Sequence, residues 1–244
     1  MTRYVARIPM TLVVPEAMHY AIKDVLEGEY EAHLDGRGLD ILDVGANVGS
    51  FALWATARWP GSHVTSYEPH PETFKFLTTN AGGRKDITLV NAALFPGGIT
   101  KARFFSRYAG DGESTLEAYA ADTFVEGAQG FSYDVDVVDP TKLPSPDVVK
   151  IDIEGGEGEV LANLDLSKTS LVLLEFQNGK NREMLRDTLA RDFDLLHDEA
   201  YEWGPILGYK GYRQDLMGDV YGRIFAVRKG MTRLTKVEPI KLRD

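Results

Sequence analysis

The chain contains no cysteine. That excludes a disulfide framework, a thiolate metal site and a cysteine nucleophile. It also lacks any apolar run near the roughly 20 residues that a membrane span needs. The stretch "RIPMTLVVPEAM" is short and framed by Pro9 and Pro15, with no small-residue cleavage site after it. No secretory signal is read there, and the expectation is a cytoplasmic protein without membrane contact. Three motifs are missing as well: the phosphate loop GxxxxGK[ST], the G-x-S-x-G elbow and H-E-x-x-H. Positive charge is scarce, with 27 Lys and Arg against 37 Asp and Glu and a formal net charge of −10. General attraction to nucleic acid depends on clustered cations and is not expected here. The basic tail "RKGMTRLTKVEPIKLRD" reads as a solvated terminus.

What the chain does have is an ordinary globular composition, 43% hydrophobic and 26% charged over 244 residues. Such a length buries a sizeable core, and the pattern reads as one domain. Apolar runs bounded by Gly, Pro and Asp alternate with helix-period segments, which argues for an α/β sheet. Strands are expected at 40–44, 63–67, 87–91, 101–106, 133–138, 147–153, 170–176, 193–197 and 223–227. Helices are expected at 51–59, 71–80, 157–163 and 181–191, the second opening on a proline at its first turn. The near-continuous apolar runs around "DVVKIDIEG" and "SLVLLEF" are those of parallel strands covered on both faces. The layout is an N-terminal extension over 1–39, a core over 40–197, an aromatic-rich insertion over 198–221, and a last strand and tail over 222–244.

The stretch "LDVGANVGSFALWATARWPGSHVTSYEP" carries the chemistry. Gly45 follows a strand and precedes a helix, so the backbone turns sharply and a ligand can press against it. A dinucleotide fingerprint requires G-x-G-x-x-G at this place, but Asn47 stands where the second glycine belongs and the spacing runs Gly45 to Gly49. The pyrophosphate of an NAD-dependent oxidoreductase is therefore disfavoured. Glu68 ends the second strand 23 residues after Gly45, placed to accept both ribose hydroxyls. Asp43, beside the turn, repels phosphate and suits an ammonium or sulfonium. A ribose, a positive centre and no phosphate together describe S-adenosylmethionine.

The segments "DVGANVGSFALWA", "SYEPHPETFKFLTTN", "NAAL", "VKIDIEGGEGEVL" and "LVLLEF" resemble, in order and spacing, the FkbM-type S-adenosylmethionine-dependent methyltransferases. The resemblance covers roughly residues 40–176. It implies a Rossmann-like class I methyltransferase fold, a seven-stranded mostly parallel sheet with the last strand antiparallel and helices on both faces. It also implies methyl transfer to oxygen on a small-molecule or glycan acceptor. Carried over by position, Asp43, Gly45, Ala46, Asn47 and Gly49 would hold the methionine end of the cofactor. Glu68 and Pro69 would meet the ribose, Asn91 and Ala92 the adenine, and Ser114, in a glycine- and serine-rich loop, would close over it. That loop has a plain alternative as a polar surface segment.

Asp152 falls at the carboxyl end of a central strand, where open α/β sheets bind ligands. Its carboxylate can contact the cofactor's amino group or receive a hydroxyl proton. Glu154 and Glu175 can converge with it, as catalytic partners or as oxygen ligands for Mg²⁺; the alternative is that such carboxylates only favour helix starts. Among the histidines, His197 near the aromatic insertion is the candidate base, while His70 reads as a helix-start residue. Tyr201, Trp203, Tyr209 and Tyr212 suit an acceptor pocket, or a lid's own small core. A non-catalytic module that binds the same cofactor is the remaining rival. A nucleic-acid amino-methyltransferase is disfavoured because "DIEG" lacks the Pro-Pro-aromatic run that clamps a flipped base.

Overall fold

Strands β2 (Asp40–Val44), β3 (His63–Tyr67), β4 (Ile87–Val90), β9 (Val148–Ile151) and β10 (Leu171–Gln177) lie side by side in parallel, with β2, β9 and β10 almost wholly buried. The structure is a computed structural model that describes residues 11–15, 25, 29–30, 32–34, 36–107, 114–119, 129–177, 179–202, 220–231 and 234–237. Two further strands, β11 (Phe193–Glu202) and β12 (Val220–Arg228), complete a seven-stranded sheet of order β11-β12-β10-β9-β2-β3-β4. Strand β12 pairs antiparallel with both of its neighbours, so it alone runs against the rest. This is the sheet that the resemblance implies.

Helices α1 (Ser50–Arg58), α2 (Pro71–Ala81), α3 (Glu157–Ala162) and α4 (Gly179–Ala190) connect the strands. Their apolar sides bury two clusters. Trp54, Trp59, Phe51 and Tyr30 lead one, and Leu161, Leu185, Leu189 and Phe176 the other. The Trp54 and Trp59 rings meet edge to face at 5.4 Å. Replacing either ring by alanine would cost about 3–5 kcal/mol by the usual large-to-small penalty.

The strands expected at 101–106 and 133–138 are present and form a separate sheet. There β6 (Lys101–Ser106) pairs with β8 (Phe131–Val138) and with the two-residue β7 (Thr115–Leu116), and β5 (Ala93–Leu94) adds to β8. The aromatic insertion is shorter than 198–221, because β11 continues to Glu202 and β12 begins at Val220, with Tyr201 opposite Tyr221. Outside both sheets, β1 (Ala32–Leu34) pairs with β13 (Leu234–Val237).

Strand order turns back between β2 and β9: the chain passes outward through β3 and β4, then returns to β9 and β10 on the other side. Open α/β sheets bind ligands outside the carboxyl ends of strands at such a reversal. Gly45, Glu68 and Asp152 follow β2, β3 and β9 at that edge.

Candidate active site

The turn after β2 is built for close approach. Gly45 and Ala46 both donate their N–H groups to the Tyr67 carbonyl, at 3.0 and 2.9 Å. Gly45 has φ +78°, and a Cβ placed on it would lie 1.7 Å from the Asp152 carbonyl oxygen. That neighbour is backbone, so only glycine fits. Asn47 follows with φ 51°, a left-handed conformation that asparagine tolerates better than most residues.

Glu68 ties the turn to the next helix. Its Oε2 accepts the Asn47 N–H at 2.9 Å, and its Oε1 accepts the His70 N–H at 2.8 Å. Burial pushes its carboxyl up to about 7, against the pull of those two donors. The Asn91 side chain donates to the Glu68 and Pro69 carbonyls, at 2.7 and 3.2 Å, and so fixes the same bend from the β4 side. His70 caps α2, its Nδ1 accepting the Glu72 and Thr73 N–H groups at 3.2 and 3.4 Å.

These groups surround a cleft of about 440 Å³ lined by Gly45, Asn47, Glu68, Pro69, His70, Thr73, Phe104, Ser114, Asp152, Ile153 and Glu154. A more apolar recess of about 310 Å³ adjoins it and shares Gly45, Pro69, Phe104 and Ile153. Its further walls include Tyr67, Ala92, Leu94 and Leu116. Six of the proposed cofactor residues, Gly45, Asn47, Glu68, Pro69, Ser114 and Asp152, thus meet in one cleft, and Ala92 lines the recess. Glu154 lines the cleft too and has φ 58°, the start of a left-handed run through Gly155 and Gly156 on which the Tyr119 ring packs.

Beneath the cleft lies a buried polar row that the sequence did not disclose. Asp43 pairs in register with Ser66 on one side and Lys150 on the other. Ser66 donates to Asp43 Oδ2 at 3.0 Å. Lys150 Nζ donates to the Gly45 carbonyl at 2.7 Å and stands 3.5 Å from Asp43 Oδ1 and 3.6 Å from Asp152 Oδ2. Burial works against the Lys150 ammonium, yet Asp152 and Asp43 outweigh it and hold its pKa above the ordinary lysine value. Burial raises the Asp43 carboxyl, and Lys150 opposes that rise. Tyr30, from the segment before β1, donates its hydroxyl to Asp152 Oδ2 at 3.4 Å.

Several proposed residues stand elsewhere. The Asp43 carboxylate is fully buried against Lys150 and Ser66 and is not among the cleft residues, because the alternation of β2 turns it onto the face that carries Lys150. Ala46 and Gly49 shape the turn from behind; Gly49 is the N-cap of α1. Asn91 braces backbone. His197 sits on β11 with its ring 5.2 Å from Phe225, away from the cleft. Glu175 pairs with Arg223, which also binds Glu29. Burial first, and then repulsion from Asp152, pushes the Glu175 carboxyl up to about 7. Among the described residues no three His, Asp or Glu side chains are grouped to hold a metal. The Mg²⁺ site expected from Asp152, Glu154 and Glu175 is not formed among the described residues: Arg223 engages Glu175, and Lys150 faces Asp152. Tyr201 is described only as a backbone position in β11; Trp203, Tyr209 and Tyr212 lie outside the described residues. Among the described residues no helix is long and apolar enough to cross a membrane.

Comparison with known proteins follows the same lines. The model of the methyltransferase FkbM domain matches residues 43–213. The chain is 27% identical over 158 residues to the hexuronic acid methyltransferase AglP of Haloferax volcanii, a match spanning 57% of each protein. It is 26% identical over 202 residues to the methyltransferase sdnD of Sordaria araneosa, across 68% of this chain and 77% of that one. Among solved structures, the Aeropyrum pernix fibrillarin crystallised with natively bound S-adenosylmethionine is similar at a TM-score of 0.45 and 13% identity, over 85% of this chain and 74% of that one. With the domain model covering the sheet edge and all the cleft residues named above, the chain belongs to the FkbM methyltransferase family.

Proposed function

We propose that the protein transfers the methyl group of S-adenosylmethionine to a hydroxyl of a small-molecule or glycan acceptor. One observation carries this reading. The cleft at the switch point joins a close-approach glycine turn to a buried carboxylate, and both oxygens of that carboxylate keep further acceptor capacity toward a sugar diol. A diphosphate finds a carboxylate there instead of a cradle of N–H groups.

When bound, the cofactor supplies an electrophilic methyl group on a sulfonium sulfur. The protein's own part is orientation and proton handling. Gly45 lets the ligand lie against the backbone, Ile153 and Phe104 wall it from water, and Glu68 anchors it at the β3 end. Asp152 lines the cleft with one oxygen held by Tyr30 and faced by Lys150, which leaves its other oxygen to take the acceptor hydroxyl's proton. Orientation of the partners can account for about 7–11 kcal/mol of the barrier, and a positioned base adds about 10²- to 10⁴-fold. A sugar acceptor is supported by the similarity to the archaeal hexuronic acid methyltransferase.

The test is calorimetry with S-adenosylmethionine, S-adenosylhomocysteine and NAD, followed by transfer of a radiolabelled methyl group to a panel of hexuronic acid glycosides. Binding of the first two without the third, and label on the glycoside, is the expected result. Binding of NAD alone would refute the cofactor; label that never leaves the cofactor would favour a non-catalytic module.

A further inference from the structure

We propose that Thr73 is a specificity-determining residue of the cleft, donating its hydroxyl to an oxygen of the ligand's sugar diol. The proposal rests on the cofactor reading above and goes beyond it by naming a contact that neither the glycine turn nor Glu68 supplies.

Thr73 is the third residue of α2, an eleven-residue helix. At that position a Glu or Gln side chain can reach back to the N–H of the capping residue. Here the N–H of His70 is already taken by Glu68 Oε1 at 2.8 Å. The two N–H groups that a cap ordinarily satisfies, those of Glu72 and Thr73, go to His70 Nδ1. The Thr73 hydroxyl is thus left out of the capping arrangement. It is buried, the residue being 2% exposed, and it has no partner among the described residues. A buried hydroxyl without a partner is costly and uncommon. Thr73 also lines the cleft, three residues after His70, as does Glu68.

The neighbourhood sets the class of ligand. Glu68 places a carboxylate at the start of α2, so an anion is repelled where a helix start would otherwise attract one. A neutral hydroxyl fits: it donates to a free lone pair of Glu68, and its own oxygen then requires a donor. Thr73 supplies that donor. A vicinal diol gives one such hydroxyl to Thr73, and the Asn47 side-chain oxygen, also buried and without a partner, can accept from the other. The free protein carries the unsatisfied hydroxyl as a stability cost that ligand binding relieves, a pattern found at sites that trade stability for function.

The experiment uses the full chain, Thr73→Val, Thr73→Ser, and three probes: S-adenosylhomocysteine and its 2′-deoxy and 3′-deoxy analogues. Thr73→Val should weaken S-adenosylhomocysteine about tenfold, the effect of one neutral hydrogen bond. It should leave unchanged the affinity for the one deoxy analogue that lacks the contacted hydroxyl, while Thr73→Ser stays near wild type. The thermal midpoint of ligand-free Thr73→Val should hold or rise by about 2 °C, because an unsatisfied hydroxyl is removed. Equal weakening toward all three probes, unchanged affinity for S-adenosylhomocysteine, or a lowered midpoint would overturn the proposal. Failure of the wild-type chain to bind any of the three would instead bring down the cofactor reading, and this inference with it.

Discussion

Glu68 offers the sharpest quantitative test, because its burial and its hydrogen bonds act in opposite directions. The carboxyl titrates at about 7 in the folded chain against an ordinary 4.5. A raised carboxyl pKa means that the folded state holds the proton more tightly. The group's favourable contribution is therefore complete below 4.5 and is lost as pH rises through 7. Linkage over that interval puts the cost of keeping the ionised group folded at about 3 kcal/mol at pH 8 and about 1 kcal/mol at pH 5. Glu68→Gln removes this cost but presents one acceptor where two donors wait, the N–H groups of Asn47 and His70. One of them loses its partner, at about 1–3 kcal/mol whatever the pH. Relative to wild type, the ligand-free variant should then be equal or up to about 2 kcal/mol more stable at pH 8 and equal or up to about 2 kcal/mol less stable at pH 5, a shift of about 2 kcal/mol between the two. Glu157 and Glu175, also pushed up to about 7, contribute equally to both proteins and cancel. Urea denaturation at the two pH values reads the difference directly. If wild type and variant gain the same stability on acidification, Glu68 is not the buried, proton-holding group described here.

Three further outcomes follow from the geometry. Gly45→Ala should lower stability by about 2–4 kcal/mol and abolish S-adenosylhomocysteine binding, since its Cβ meets backbone at β9; a thermal midpoint and calorimetric titration like those of wild type would contradict the close approach. Lys150→Met leaves Asp43 buried without its cation and should cost about 3–5 kcal/mol, most of it regained when Asp43→Asn is added; a double variant no better than the single one would mean that Lys150 acts by packing alone. Asp152→Asn should reduce labelled methyl transfer to the acceptor by about 10²- to 10⁴-fold while S-adenosylhomocysteine affinity moves by less than about threefold; matched losses in both would make it a binding residue only.

Legibility in the sequence follows from the range over which each signal acts. Strands β9 and β10 were readable because each is a mostly apolar run between turn residues, and β2 and β3, bounded by turn residues, have the bounds expected. Gly45, Glu68 and Asp152 were readable because a site at strand ends repeats the spacing of the strands themselves. The second sheet was not, since β5 and β7 are two residues each and leave no period to detect. The capping role of His70 was visible, but its place on the cleft wall was not, because Phe104 and Ser114 arrive there from a different sheet and loop.

The buried row is the instructive case. Lys150 interrupts the apolar run "VVKI" as a lone charge, and its partners Gly45 and Asp43 lie more than a hundred residues earlier. Tyr30 is equally remote from Asp152. No motif joins them; adjacency of β2 and β9 does, by placing Asp43 opposite Lys150. Strand parity alone nevertheless carried part of the answer. Ile41 packs in one core cluster, whereas Leu42 and Val44 pack in the other, so Asp43 had to face the side of Ile41 and α1. A carboxylate committed to that side is spent on a cation of the protein. The cofactor's positive charge is then left to the field of a row with two carboxylates and one ammonium, whose net negative charge reaches the cleft through Asp152 and the Gly45 carbonyl.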